Sequence, residues 1–281
     1  MPCGWCIEAA RATMRAAQVG AMTRPVFSRR GMAVLRPVLT CAGLVALWGA
    51  LARWGHVPPY MLPAPDAVAR ALWSGRAQLE PAAVTTLEET LLGLGIGVGA
   101  GSALAIAMAL WAPLRRWVMP MVLLSQAVPV FALAPLLVLW FGFGMASKVV
   151  MAVLVIFFPV TSALGDGLRQ TEAGWMDLAR TMGATRWRVL VHIRLPAAMP
   201  AFATGVRMAT AIAPIGAVVG EWVGASSGLG FLMQTANTRF QTDLMFAALA
   251  VLAVMTVLLW WGVDRLLARA LYWQPPHADI D

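Results

Sequence analysis

The chain has 281 residues, of which 60% are hydrophobic and 12% charged, with a net charge of +8 and a mean hydropathy of +0.74. Soluble domains carry about 25% charged residues, so a water-soluble globule could not cover this much apolar surface, whereas lipid leaves apolar side chains in no need of cover. The bases form no stripe interleaved with aromatics on a polar scaffold, which argues against nucleic-acid binding.

Along the chain, Arg11, Arg15, Arg24, Arg29, Arg30 and Arg36 precede the first apolar run. Such a leader is held on the cytoplasmic side and orients the first helix. Residues 1–34 are therefore expected to be a basic, disordered cytoplasmic tail. Within it, Cys3-Gly4-Trp5-Cys6 has redox spacing but lacks the βαβ context that lowers a thiol pKa, and reads as a chance pair. Cys41 reads as packing in an apolar run. The long leader, and Arg53-Trp54 where a small-residue cleavage site would stand, argue against a cleaved signal peptide.

A membrane-crossing helix needs about 20 mostly apolar residues. Six runs qualify, at 35–53, 87–112, 117–141, 146–165, 201–223 and 244–266. They are long and continuous rather than alternating, so helices are expected and not a barrel. With the N-terminus inside, fifteen of the 21 Lys and Arg fall in inside segments. Five, including Lys148, fall outside, and Arg207 lies within the fifth run. This bias predicts both termini in the cytoplasm, with one membrane domain over 35–270 and a cytoplasmic tail over 271–281. The outside segment after Trp54 holds a proline-rich extended stretch, Pro58 to Pro65, and then a short amphipathic helix over 66–74.

Gly93, Gly97 and Gly101 fall four apart on one face of the second run, with Gly95 and Gly99 beside them. In lipid this spacing lets two helix backbones approach closely. No strand precedes these glycines and no G-K-[ST] occurs, so the chain holds no nucleotide fingerprint or P-loop. The loop between runs four and five, Glu172 to Pro196, is polar and basic. Leu178, Met182, Trp187, Leu190 and Val191 recur at helical spacing, Gly183 breaks the run and Pro196 is expected to end it. Two short amphipathic helices of this kind can present a knob to a soluble partner's groove.

That loop resembles the EAA loop of bacterial ABC importer permeases. Their pattern is E-A-A, three residues, G, nine residues, I, one residue, L-P. Asp177-Leu178-Ala179 stands in place of E-A-A, with Leu178 departing from Ala, and Gly183, Ile193, Leu195 and Pro196 follow at the expected spacing. Leu62-Pro63-Ala64-Pro65, Gln126-Ala127-Val128-Pro129, Ala134-Pro135-Leu136 and Trp140 to Gly144 resemble the nitrate, sulfonate, taurine and pyrimidine-precursor branch. Gly220 to Gly230, with Gln241 to Phe246, looks most like the hydroxymethylpyrimidine permeases that import a thiamine precursor.

The resemblance implies an all-α type I importer membrane domain of about six spans in the bacterial inner membrane. It implies partners too: cytoplasmic ATPase subunits that use ATP and Mg, a periplasmic solute-binding protein, a second copy of the permease, and surrounding lipid. No cofactor and no catalysis are expected in this chain. Asp177, Ala179, Gly183, Ala184, Ile193, Leu195 and Pro196 take the ATPase-docking role. Between two copies, the glycine-faced helices with the third and fifth spans are expected around a central path. Its candidate lining is Ser125 and Gln126 beside Pro129 and Pro135, which break the third span, then Pro214 and Glu221. Ser125 could instead bond back to its own turn, and Glu221 with Trp222 could be an interfacial anchor, an outer gate or a contact for the binding protein. Arg207 is expected to snorkel to the inner surface, or else to pair with an acid such as Asp166 or one on a neighbouring subunit. His56, His192 and His277 are scattered, so no metal site is expected. A secondary transporter would need intramembrane acids in a string and an inverted repeat, and neither is evident; a membrane scaffold would need no kinked polar spans.

Overall fold

The computed structural model describes residues 29–55 and 58–273. Most of the basic leader, the Cys3–Cys6 pair, His56 and His277 lie outside the described residues. The chain divides into two units at Val57/Pro58. The first contains helix α1, Arg29–Trp54. It starts six residues before the predicted boundary, and its apolar part, Leu39–Trp54, is shorter than the other spans.

The second unit is helical throughout its regular structure. Helix α2 (Pro65–Ser74) begins with Pro65 at its first position, where a missing N–H costs nothing. Asp66 in the first turn pairs with Arg70 one turn on, at 3.1 Å. Helix α3 (Arg76–Leu110) runs 35 residues, about 52 Å at 1.5 Å per residue. It starts well before the predicted residue 87, its first turns extending beyond the apolar run, with Pro81 accommodated inside the helix.

The predicted third span is in fact two helices, α4 (Ala112–Ser125) and α5 (Val130–Phe141), bent by 99° across residues 126–129. Pro129 has no N–H to continue the ladder. The last turn of α4 closes on tight bonds, Gln126 N–H to Leu123 O at 3.1 Å and Ala127 N–H to Leu124 O at 3.0 Å. Gly142, with φ +76°, ends α5. Helix α6 (Met145–Arg169) follows, then α7 (Ala173–Thr181) and α8 (Arg186–Val189). A π-turn, Leu190–Arg194, carries α8 directly into α9 (Leu195–Gly224). Pro196 therefore does not end the helix: it occupies an early position of α9, and Arg186–Gly224 forms one continuous 39-residue rod. A short helix with no counterpart among the predicted spans, α10 (Leu229–Thr238), precedes α11 (Thr242–Ala270). By length and composition, α3, α6, α8–α9 and α11 can each cross a membrane, and the bent α4–α5 pair brings the number to five when it is taken as one span and not as a re-entrant loop.

Helix α6 lies at the centre of the unit, between α3 and α9. Small residues key all three together, as lipid-embedded helices require when van der Waals contact replaces the hydrophobic effect. A Cβ on Gly93 would come within 2.5 Å of the Ala152 Cβ, and one on Gly97 within 2.8 Å of Ile156. Gly101 faces Thr161, whose hydroxyl donates to the Gly101 carbonyl at 3.3 Å. On the other side, Gly205 meets Ala163, Gly216 the Ala152 backbone and Gly220 the Lys148 backbone. The core between these helices is Leu94, Ala152, Ile156, Val160, Val206, Ala209 and Ala213. The face of α3 that carries Gly93, Gly97 and Gly101 is thus used inside the chain, against α6, while Gly95 and Gly99 stand in open space.

Candidate functional site

Three features of the second unit carry polar chemistry. The first is the segment joining α6 to α9. Gly183 has φ +68°, a left-handed conformation that only glycine adopts without strain. It closes α7 through Gly183 N–H to Arg180 O and Ala184 N–H to Ala179 O, both 3.0 Å. Thr185 then caps α8, accepting from Arg188 N–H. Ala179 is buried, while Leu178, Met182, Trp175 and Trp187 are all more than half exposed. Asp177 is exposed and pairs with Arg180 at 2.8 Å within α7. Ile193 lies in the π-turn and Leu195-Pro196 open α9, so these three belong to the base of the segment and not to its exposed tip. So many large apolar side chains exposed on one segment form an apolar patch with no cover among the described residues.

The second feature is the break in the third span. Ser125, Gln126, Pro129 and Pro135 are all exposed in the single chain. The Ser125 hydroxyl bonds back to Val122 O at 2.7 Å, and Gln126 donates to it at 3.3 Å. Pro214 is buried in α9, away from that group's surface. Just past the break, Phe131 joins Trp222 and Val223 of α9, Met233, Gln234 and Asn237 of α10, and Met245 and Leu249 of α11 around a cavity of about 610 Å³. Two aromatic rings and two side-chain amides line it, with no ionisable group.

The third feature is a buried charge cluster that is not evident from sequence. Glu221 is 1% exposed, so it is not an interfacial anchor. One of its oxygens accepts from the Thr86 hydroxyl at 2.6 Å and the other from Gly230 N–H. Thr86 in turn accepts from Leu229 N–H at 2.8 Å. A carboxylate and a hydroxyl thus cap the start of α10. This arrangement requires glycine at 228, where φ is +110° and any Cβ would strike the Glu221 carboxylate. Beside it, Glu89 is 0% exposed and pairs at 2.9 Å with Lys148, itself 4% exposed. Lys148 is therefore inside the bundle and not in the outside loop to which the charge count assigned it. Its ammonium and the two carboxylates tie α3, α6 and α9 together, since buried ions persist only when paired. The available signal was an acid at 89, one turn from Thr86 and inside an apolar run. A second ion pair joins Arg207 of α9 to Asp264 of α11 at 2.6 Å, each about one-third exposed. Arg207 is neither snorkelling free nor paired with Asp166. No cluster of metal ligands occurs among the described residues.

A helical bundle with several helices long and apolar enough to cross a membrane, and an amphipathic segment with exposed apolar side chains at one end, defines a multi-pass membrane protein of the all-α class. Residues 95–271 match the family described as the binding-protein-dependent transport system inner membrane component, and the chain belongs to that family of ABC importer permeases. It is 48% identical over 239 residues, covering 85% of this chain and 98% of the other, to a Haemophilus influenzae protein named "Probable ABC transporter permease protein". It is 35% identical to the formylaminopyrimidine transport permease ThiX of Halalkalibacterium halodurans, over 88% of this chain and 98% of that one. Against the riboflavin permease RibX of Chloroflexus aurantiacus the identity is 41% over 80% and 86%. Its fold is similar to the inward-facing methionine ABC transporter MetNI, with a TM-score of 0.59 and 20% identity over 74% of this chain and 98% of that one.

Proposed function

We propose that this permease moves a small, uncharged nitrogen heterocycle, of the hydroxymethylpyrimidine type that serves as a thiamine precursor, across the bacterial inner membrane with both termini in the cytoplasm. The observation that carries the choice of solute is the cavity beside the broken span. Phe131 and Trp222 offer flat faces for stacking, Gln234 and Asn237 offer both donors and acceptors, and no cation is present to hold a sulfonate. Relatives that take a formylaminopyrimidine and a flavin, both planar heterocycles, support the same class.

In this reading two copies pair around a path that includes Ser125, Gln126, Pro129 and Pro135. Two ATPase subunits receive Leu178, Met182 and Trp187 in apolar grooves, with the positions from Asp177 to Pro196 shaping the knob. Closure of the ATPases, driven by ATP and Mg bound there, moves the docking segments and switches the side to which the path opens. A periplasmic binding protein delivers the solute. This chain itself makes and breaks no covalent bond.

The test is uptake by proteoliposomes holding the permease, its ATPase and its binding protein. Labelled hydroxymethylpyrimidine is expected to accumulate with ATP, and Trp222→Ala to slow that accumulation while leaving basal ATP hydrolysis in place. Accumulation of taurine or another sulfonate without the pyrimidine would replace this solute by the alternative.

A further inference from the structure

A second cavity, of about 510 Å³, opens at the other end of the same bundle. Its walls are the last turns of α3 and α6, the first turns of α4, and the π-turn that leads into α9. Four guanidinium groups surround it: Arg115 and Arg116 from α4, Arg169 from α6 and Arg194 from the π-turn. The sole acid in its lining is Asp166, 3.8 Å from Arg169, and Thr161 and Ser162 add hydroxyls. The cavity therefore carries three positive charges beyond its own acid. Arg115 and Arg116 have no ion pair among the described residues. Arg194 is partly exposed, but its Nε atom is buried and has no hydrogen-bond partner among the described residues.

An arginine bias at the inner membrane face is ordinary and would by itself leave guanidinium groups pointing to water or headgroups. Arg194 does otherwise. Its Nε is shut away from solvent, and a buried charged donor left without an acceptor is costly. The π-turn places it there, and π-turns inside helices recur at functional positions. A guanidinium fork matches the oxygens of a phosphoryl group in two parallel bonds. Met108, Leu123 and Leu168 give the same cavity an apolar side suited to the first methylenes of a lipid's acyl chains.

We propose that this cavity binds a phosphate-type oxyanion, carried on the headgroup of an anionic lipid or free in the cytoplasm, with Arg194, whose Nε is buried, as its inner anchor and Arg115 and Arg116 as its outer arms. The bound anion bridges α4, the inner half of the broken span, to the π-turn at the base of the proposed docking segment. It thereby joins the two parts of the chain that must move together.

The experiment uses the assembled importer in phosphatidylcholine nanodiscs. Inorganic phosphate is titrated in one arm and phosphatidylglycerol is incorporated in the other, reading thermal stability and, by native mass spectrometry, retained lipid. The wild type is expected to be stabilised in at least one arm. A response to phosphatidylglycerol alone identifies a lipid headgroup, and a saturable response to phosphate identifies a free anion. Arg194→Gln is expected to weaken the response about tenfold or more, as loss of a charge-assisted fork does. Arg194→Lys, which keeps the charge without the fork, is expected to weaken it less, and it decides the matter if the Gln variant does not assemble. The proposal is overturned if neither anion stabilises the wild type, or if the response is undiminished in the Arg194 variant that folds.

Discussion

Replacing Lys148 by Met removes the ammonium from a site with two carboxylates, both fully buried. At 2.9 Å and an effective dielectric of about 20, the Lys148–Glu89 attraction is about 6 kcal/mol. That is close to what two ions lose on leaving water, several kcal/mol each. The intact pair therefore contributes little net stability, whereas breaking it strands Glu89 at a cost of about 3–5 kcal/mol. The matching double variant, Lys148→Met with Glu89→Leu, removes both charges while keeping roughly the same volume. It should lie within about 1 kcal/mol of wild type, because replacing a buried pair by apolar residues is often neutral. The measurement is a double-mutant cycle of unfolding free energy in detergent. A coupling energy below about 1 kcal/mol, or a double variant no better than Lys148→Met alone, would refute the assignment of this pair as mutually compensating.

Glycine positions give a second, internally controlled test. Gly93→Val should lower stability by about 1–3 kcal/mol through overpacking against Ala152, while Gly95→Ala, with open space around it, should be neutral or gain up to about 1 kcal/mol; thermal unfolding distinguishes the two. Gly183→Val forces a β-branched residue into a left-handed turn at φ +68°, costing about 1–2 kcal/mol locally. Copurification of the ATPase should fall sharply while the permease still folds; undiminished ATPase capture would remove Gly183 from the proposed docking role. Gly228→Ala should detach the start of α10 from Glu221, read as increased amide exchange over 229–238.

The bulk architecture was readable because it depends on composition and on short-range pattern. Long apolar runs mark the spans, and the amphipathic loop with Gly183 marks the projecting segment. What escaped the sequence reading depends on partners distant in the chain. Thr86 and Glu221 bond across 135 positions, and no periodicity links them. Lys148 looks like a loop base because it stands at the edge of an apolar run, and only the packing of α3 beside α6 brings Glu89 to it. For Arg207 the need for an acid was legible but not which one, since Asp264 becomes its neighbour only through the α9–α11 contact. Pro129 announced a break in the third span, yet a proline sets no angle, and the 99° turn is fixed by the surrounding helices. Helix α10 is ten residues long, too short to register as a span.

The keyed glycines and the unbroken passage from α8 to α9 have a mechanical consequence. Arg186–Gly224 is a rod about 58 Å long at 1.5 Å per residue, and it shares its bearing surfaces with α6 and α3 where no side chain can cushion them. One degree of tilt at the end near the proposed docking segment displaces the far end of a straight rod of that length by about 1 Å, and the π-turn and the internal prolines Pro200 and Pro214 are where such a rod would bend. A further joint is residues 126–129, the bend where the third span departs from the block. The bundle is thus a lever with few joints, and that last one lies beside the cavity proposed for the solute.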